Sequence, residues 1–239
     1  MIDFSGQTVL VAGGSSGIGL GIARSFAAAG ARVHITGTRA SSDDYDSDHS
    51  GLVFHQLDVA EAGSAVALSA EFETVDVVVS AVGTAVYGRA EYEPDTFRHI
   101  IDVNLNGVMD ICTAFQPQLA ESDHGNLLLI GSVASFLAEP NQPAYSASKG
   151  GLLMLTKSLA VAWARHGIRV NGVAPGFVKT KLTEHRYDDP DVNEAITKQI
   201  PMRRWGETGE MGDASLFLSS SMASYITGQM LIVDGGLAL

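Results

Sequence analysis

Tyr145 and Lys149 stand four residues apart in Tyr145-Ser146-Ala147-Ser148-Lys149, and Ser132 lies thirteen residues upstream, after the apolar run Leu127-Leu128-Leu129-Ile130-Gly131. On a helix, positions i and i+4 share a face, so the ammonium would sit beside the phenol. An unperturbed phenol titrates at about 10, and a fixed cation nearby would draw it toward the pH at which proton transfer is efficient. A serine hydroxyl at the tip of a strand could hold a carbonyl or alcohol oxygen at the same place. The chemistry suited to such a trio is protonation or deprotonation of that oxygen while hydride moves at its carbon. A tyrosine and a lysine at helical spacing also occur as an ordinary surface pair, so the elements that would position them decide.

Near the N-terminus, Thr8-Val9-Leu10-Val11-Ala12 reads as a buried strand, then Gly13-Gly14-Ser15-Ser16-Gly17-Ile18-Gly19 as a turn, then an apolar helix to about Ala29. Strand, glycine turn and helix together present free backbone N–H groups to a pyrophosphate. The glycine spacing is Gly-x-x-x-Gly-x-Gly. Apolar runs near 8–12, 32–36, 52–56, 75–81, 126–131, 168–173 and 229–233 alternate with helical segments. That pattern predicts an α/β fold, a doubly wound parallel sheet of about seven strands with helices on both faces, in a single domain spanning 1–239.

The chain has 27 acidic against 15 basic residues, a formal charge of −12, and is 46% hydrophobic. That charge argues against nucleic acid and against anionic membrane surfaces as partners. With no run of 18 apolar residues and no basic leader segment, a cytoplasmic location is expected. The one cysteine, Cys112, reads as a small core residue. No His, Cys and carboxylate cluster has metal-ligand spacing, so no metal is expected. His34, His99 and His124 read as structural, which leaves Ser132 without the base a hydrolase nucleophile needs.

On these motifs the chain resembles the short-chain dehydrogenase/reductase family, and in general appearance its 3-oxoacyl-ACP reductase-like branch. Further matches are Leu57-Asp58-Val59, Val103-Asn104-Leu105, Arg169-Val170-Asn171-Gly172-Val173-Ala174-Pro175-Gly176, Ile226-Thr227-Gly228-Gln229 and Val233-Asp234-Gly235-Gly236. The resemblance runs from about Gly6 to Leu239. It implies a Rossmann-type, NAD(P)-dependent oxidoreductase in which Tyr145 is the general acid/base, Ser132 holds the substrate oxygen and Lys149 also binds the nicotinamide ribose. Asn104, within a long helix after Pro94 that its neighbours Asn106 and Gly107 would kink, would keep a water next to the lysine.

For the cofactor, the resemblance gives Gly13, Ser15, Ser16, Gly17, Ile18 and Gly19 to the pyrophosphate, and Gly83 to a close backbone approach. Asp58 would accept from the adenine amino group and Val59 would offer its backbone; alternatively Asp58 caps a helix starting near Ala60. Pro175 and Gly176 would open the loop under the nicotinamide, with Val178 and Thr180 on the carboxamide, presenting the pro-S hydride. After the second strand Gly37 replaces the carboxylate that favours NAD, and Thr38 and Arg39 could meet a 2′-phosphate, so NADP(H) is favoured. In the alternative reading Arg39 is a solvated loop charge and NAD(H) binds. Two departures stand out: Ala12 where the family has threonine, losing a hydroxyl that ties neighbouring strands, and Ser80-Ala81-Val82-Gly83 for Asn-Asn-Ala-Gly, putting side-chain hydrogen bonding in the central sheet in doubt. The helix usual between strands two and three is expected to be missing or reduced around Ser41–Asp48.

Residues 181–205, with Leu182, Ile196, Ile200 and Met202, would form a lid over the substrate. Phe136, Leu137 and Phe177 would form an apolar wall, or merely pack the lid. A small ketone or secondary alcohol is preferred; a 3-oxoacyl thioester on an acidic carrier is disfavoured by Glu121 and Asp123 where a basic docking face would lie. Gly150-Gly151 suggest close helix packing, and the family implies a homotetramer. The competing readings are an NAD-dependent secondary alcohol dehydrogenase and a cofactor-sensing regulator, which would not require Ser132, Tyr145 and Lys149 together.

Overall fold

A computed structural model describes residues 2–239. Seven parallel strands form one sheet: β1 (Thr8–Ala12), β2 (Arg32–Gly37), β3 (Val53–Gln56), β4 (Val77–Ser80), β5 (Asn126–Ile130), β6 (Arg169–Pro175) and β7 (Met230–Val233). Their order is β3-β2-β1-β4-β5-β6-β7. Each falls on a predicted run: the central strands are buried on both faces and so mostly apolar, whereas the edge strands β3 and β7 are partly exposed.

Alternation then sends successive side chains to opposite layers. Leu10, Val78, Leu127 and Leu129 pack with Ile111, Phe115, Leu152 and Leu159 on one face. Val9, Val11, Val33 and Leu128 pack with Ile22, Phe26, Met211 and Leu218 on the other. The first face is covered by α2 (Ser64–Ser69), α4 (Gly107–Ala120) and α5 (Pro143–Trp163), the second by α1 (Gly17–Ala28) and α8 (Thr208–Ser219).

Three local features shape the site. The connection from β2 to β3 contains no α-helix, only a 3-10 turn at Ser42–Asp44 capped by Ser41. The helix after Pro94 is interrupted: α3 (Pro94–Ile101) runs into a π turn at Asp102–Asn106 before α4, which is the predicted kink in the form of one widened turn. Between β6 and α8, α6 (Glu184–Tyr187) and α7 (Pro190–Gln199) pack on a small core of Ile196, Ile200 and Trp205. Strand order reverses between β1 and β4, and a crevice at the carboxyl ends of strands on either side of that point is where an open α/β sheet binds its ligand.

Candidate active site

That crevice holds a cavity of about 770 Å³, lined from Gly13 and Ser15 at one end to Tyr145, Lys149 and Leu182 at the other. The glycine turn forms its floor. Gly13 sits at φ 75°, and a Cβ there would lie 2.9 Å from the Ala81 carbonyl carbon. A Cβ on Gly19 would stand 2.2 Å from the Gly13 oxygen. Only glycine permits this closeness. No side chain caps the start of α1 at Ser16, so its first N–H groups remain available to an anion.

The hydroxyl missing at Ala12 is supplied from the next strand. Buried Thr36, on β2, accepts the Gly13 N–H at 3.0 Å. The doubt over Ser80-Ala81-Val82-Gly83 is realised in part, since Ser80 Oγ is buried without a hydrogen-bond partner among the described residues.

At the reacting end, Tyr145 and Lys149 project from the first turns of α5, while Ser132 follows β5 and opens a 3-10 turn. Ser132 Oγ accepts the Ala134 N–H at 3.1 Å, and its hydroxyl acts on the phenol of Tyr145. Lys149 Nζ lies 5.6 Å from the Tyr145 ring centroid and donates to the Ile130 carbonyl at 2.9 Å. The electrostatics differ from the expectation drawn from spacing. Burial raises the phenol above its ordinary value; Ser132 opposes that, while Tyr87 and Glu91 add to it. Burial also draws Lys149 down to about 8. The ammonium, turned toward a carbonyl and lying over the ring, is not what governs the phenol here, and the phenol keeps its proton in readiness as an acid.

Asn104 is buried at the π turn, where one extra residue per turn is tolerated chiefly at functional positions. Its amide is fully engaged: Oδ1 accepts Thr84 N–H at 2.8 Å, and Nδ2 donates to Thr84 O at 2.8 Å and Ser148 Oγ at 3.2 Å. The side chain thus clamps the segment after β4 to α5. A Cβ on Gly83 would lie 3.4 Å from Lys149 Nζ and 3.7 Å from Asn104 Oδ1, ordinary contact distances, so the segment after β4 runs directly beside the lysine.

At the far end, Ser15, Ser16, Gly17, Ile18, Thr38, Asp58 and Val59 line the cavity. Asp58 Oδ1 accepts Ala60 N–H at 2.9 Å within a turn; no helix begins there, α2 starting at Ser64. Arg39 is not on the cavity wall. Its guanidinium donates to the Asp44 carbonyl and stacks 4.8 Å from the Tyr45 ring centroid. Tyr45 itself lines the cavity, a residue the sequence reading passed over inside a polar run. Its hydroxyl accepts the Arg39 N–H at 3.0 Å and fills the space above Gly37, where a Cβ would stand 2.2 Å from it and 2.7 Å from Ser15 Oγ. A single aromatic among serines and aspartates was the available signal. Lys181, also on the wall, pairs with Asp46 across the mouth.

Thr180 and Leu182 line the cavity beside the tyrosine. Pro175, Gly176 and Val178 lie behind the wall: Gly176 abuts Asp234, and Val178 is buried and bridged to Gly206. Phe136 and Leu137 are exposed away from it, and Phe177 packs 5.2 Å from Trp205, securing the 181–205 segment. Of that segment's expected apolar members, Ile196 and Ile200 are buried, whereas Leu182 and Met202 are exposed. His99 lines the cavity, and Tyr87 Oη donates to the Leu182 carbonyl at 3.3 Å; the sequence marked neither for the site. Among the described residues no group of three His, Cys, Asp or Glu side chains is placed to hold a metal ion, and no helix is long and apolar enough to cross a membrane.

The profile of a family described as Enoyl-(Acyl carrier protein) reductase matches residues 12–238. The 2-dehydro-3-deoxy-D-gluconate 5-dehydrogenase of Bacillus subtilis (strain 168) is 36% identical over 98% of this chain and 95% of its own. The 3-oxoacyl-[acyl-carrier-protein] reductase FabG of Escherichia coli (strain K12) is 37% identical over 99% of each. A solved gluconate 5-dehydrogenase from Burkholderia cenocepacia J2315, in complex with NADP and tartrate, is similar with a TM-score of 0.90 at 33% identity, over 99% of this chain and 96% of that one.

Proposed function

The chain belongs to the short-chain dehydrogenase/reductase family and is an NAD(P)-dependent oxidoreductase of C=O and CH–OH groups, and on that footing we propose that it interconverts a small ketone and its secondary alcohol using NADP(H), with Tyr145 as general acid/base. The observation that carries this reading is one cavity holding both an uncapped glycine turn and the Tyr145 and Lys149 side chains, with buried Ser132 next to lining residue Gly131 and acting on the Tyr145 phenol.

The residues present suit the cofactor. The N–H groups opening α1 would receive the pyrophosphate, Asp58 the adenine amino group, and Thr38 with Tyr45 on the wall the ribose 2′-phosphate, which Arg39 would reach only by leaving the Asp44 carbonyl. Gly37 brings no carboxylate to this place, and the Tyr45 hydroxyl occupies the space beside it. When bound, the dihydronicotinamide supplies hydride. Tyr145 would give its proton to the carbonyl oxygen, Ser132 would donate a hydrogen bond to the charge developing there, Lys149 would hold the ribose, and the phenolate left behind would regain its proton from solvent. Oxidation reverses these steps. Residues 181–205 close the substrate side, with Leu182 toward the cavity.

The related dehydrogenases of hydroxylated acids support a small free substrate. A thioester on an acidic carrier is the weaker alternative, since the chain's charge of −12 opposes such docking. A cytoplasmic homotetramer belongs to the same reading. Met154 and Val161 on α5 are exposed, as are Leu231 and Ile232 on edge strand β7, and Gly150 has open space where a Cβ would be; such faces are ordinarily covered by another subunit.

Tyr145→Phe is the test. NADPH binding, followed by nucleotide fluorescence, should persist while turnover of ketones falls by roughly 10²–10⁴-fold. Undiminished turnover would refute the assignment, and unchanged cellular function in Tyr145→Phe would favour a cofactor-sensing regulator.

A further inference from the structure

We infer that Glu91 is a positioning residue for the reaction: its buried carboxylate grips the backbone of Tyr145 and fixes where the phenol stands. The inference rests on Tyr145 being the acid/base. Glu91 is wholly buried and lies in a 3-10 turn (Ala90–Tyr92) entered through Arg89 at φ 65°. Its Oε2 accepts the N–H of Tyr145 at 2.8 Å across 54 residues of sequence, and Oε1 accepts the Val86 N–H at 3.4 Å.

The helix itself explains why the contact is needed. Gln142 precedes α5 at the N-cap but makes no side-chain cap. Tyr145 is the third residue of the helix, and its N–H is one of the orphan donors that a serine or aspartate at the cap would normally satisfy. A local cap would have sufficed for stability. Glu91 instead reaches in from the segment after β4, and that segment holds the start of α5 at two further points: Gln142 Nε2 donates to Val86 O at 3.4 Å, and Tyr92 Oη donates to Pro140 O at 2.8 Å. The same segment carries Thr84, clamped by Asn104, and Tyr87, whose hydroxyl reaches the carbonyl of cavity residue Leu182. The tyrosine is therefore registered against the segment that also meets the substrate side of the cavity, rather than against its own helix alone.

The carboxylate also faces the phenol electrically. Around Tyr145 stand Ser132, Tyr87, Lys149 and Glu91, and Glu91 adds to the upward displacement that burial causes. A misplacement of about 1 Å can cost 10²-fold in rate, so loss of the grip should appear in kcat rather than in cofactor affinity.

Glu91→Gln and Glu91→Leu separate position from charge, with Tyr145→Phe as reference. Glutamine keeps an acceptor for the Tyr145 N–H, so Glu91→Gln should keep its fold and its NADPH Kd. The alkaline-rising limb of alcohol oxidation, which needs the phenolate, should move to lower pH. Glu91→Leu should lower kcat by about 10–100-fold with NADPH Kd changed less than about threefold. An unmoved limb in Glu91→Gln together with wild-type kcat in Glu91→Leu overturns the inference. Parallel losses of kcat, Kd and melting temperature in Glu91→Leu, with an unmoved limb, do the same, since they mark a merely structural cap. If Glu91→Leu does not fold, the limb in Glu91→Gln decides. Full turnover by Tyr145→Phe would instead sink the assignment of the acid/base, independently of either Glu91 variant.

Discussion

Replacing Thr36 by valine tests whether the turn that cradles the pyrophosphate depends on a hydroxyl borrowed from the neighbouring strand. Valine keeps the branched shape at a position that is 1% exposed, so the perturbation is confined to the oxygen that accepts the Gly13 N–H at 3.0 Å. A donor left without its partner costs about 1–3 kcal/mol, and since Gly13 is only half-buried, about 1–2 kcal/mol is the appropriate part of that range. For a chain of this size each kcal/mol moves the melting temperature by about 2–4 °C, which gives a fall of roughly 2–8 °C. The freed turn should also bind NADPH more weakly, and a tenfold loss equals about 1.4 kcal/mol. Thermal unfolding with and without saturating NADPH, beside a fluorescence titration, reads both effects, and Thr36→Ser, which retains the hydroxyl, should lie near wild type. A valine variant that melts within about 1 °C of wild type and binds NADPH equally well would show that the Thr36 bond contributes nothing.

Acid should weaken the β2–β3 edge. His34 Nδ1 lies 2.9 Å from His55 Nε2, and burial, then the charges of His55 and Arg32, hold His34 at about 4 against an ordinary 6.5. A depressed folded value means that the unfolded chain takes up the proton first, so this stability is complete above about 6.5, declines as pH falls toward about 4, and declines no further below it. Discounted for water reaching the ring, the loss is about 1–2 kcal/mol; urea midpoints between pH 7.5 and 4.5 should fall further for wild type than for His34→Leu, and equal falls would reject the argument. At the other end of the cavity, Tyr45→Phe and Arg39→Ala should each weaken NADPH binding about 3–10-fold while leaving NADH within about twofold. If wild type binds NADH as tightly as NADPH, the cofactor assignment fails at once.

What the sequence made legible follows a physical division. Every strand fell where an apolar run lay; for the central strands, burial on both faces leaves little freedom in composition. The glycine turn and the Tyr145 and Lys149 spacing were equally plain, since each rests on neighbours in the chain. What stayed hidden depends on partners distant in sequence. Thr36 compensating for Ala12, and Glu91 capping the helix of Tyr145, are contacts that no local pattern encodes. Tyr45 was obscured by its polar surroundings, although the expected loss of the helix in that connection was correct. The electrostatic expectation erred for a related reason: spacing told that Lys149 lies near Tyr145 but not that both would be buried enough for desolvation to dominate.

The π turn at Asp102–Asn106 makes one continuous rod serve two sets of neighbours. Side chains advance about 100° per residue around a helix, so one surplus residue rotates everything beyond it by roughly that angle relative to an uninterrupted spiral. Before the turn, α3 lies against α5; after it, α4 lies against α2 and β4. Deleting a single residue there would restore a regular spiral and, with it, swing the apolar stripe of α4 off the sheet. The wide turn is thus a phase shifter: it lets a helix change partners midway without a loop, and it leaves Asn104 at the node, where the two halves of the rod are out of step.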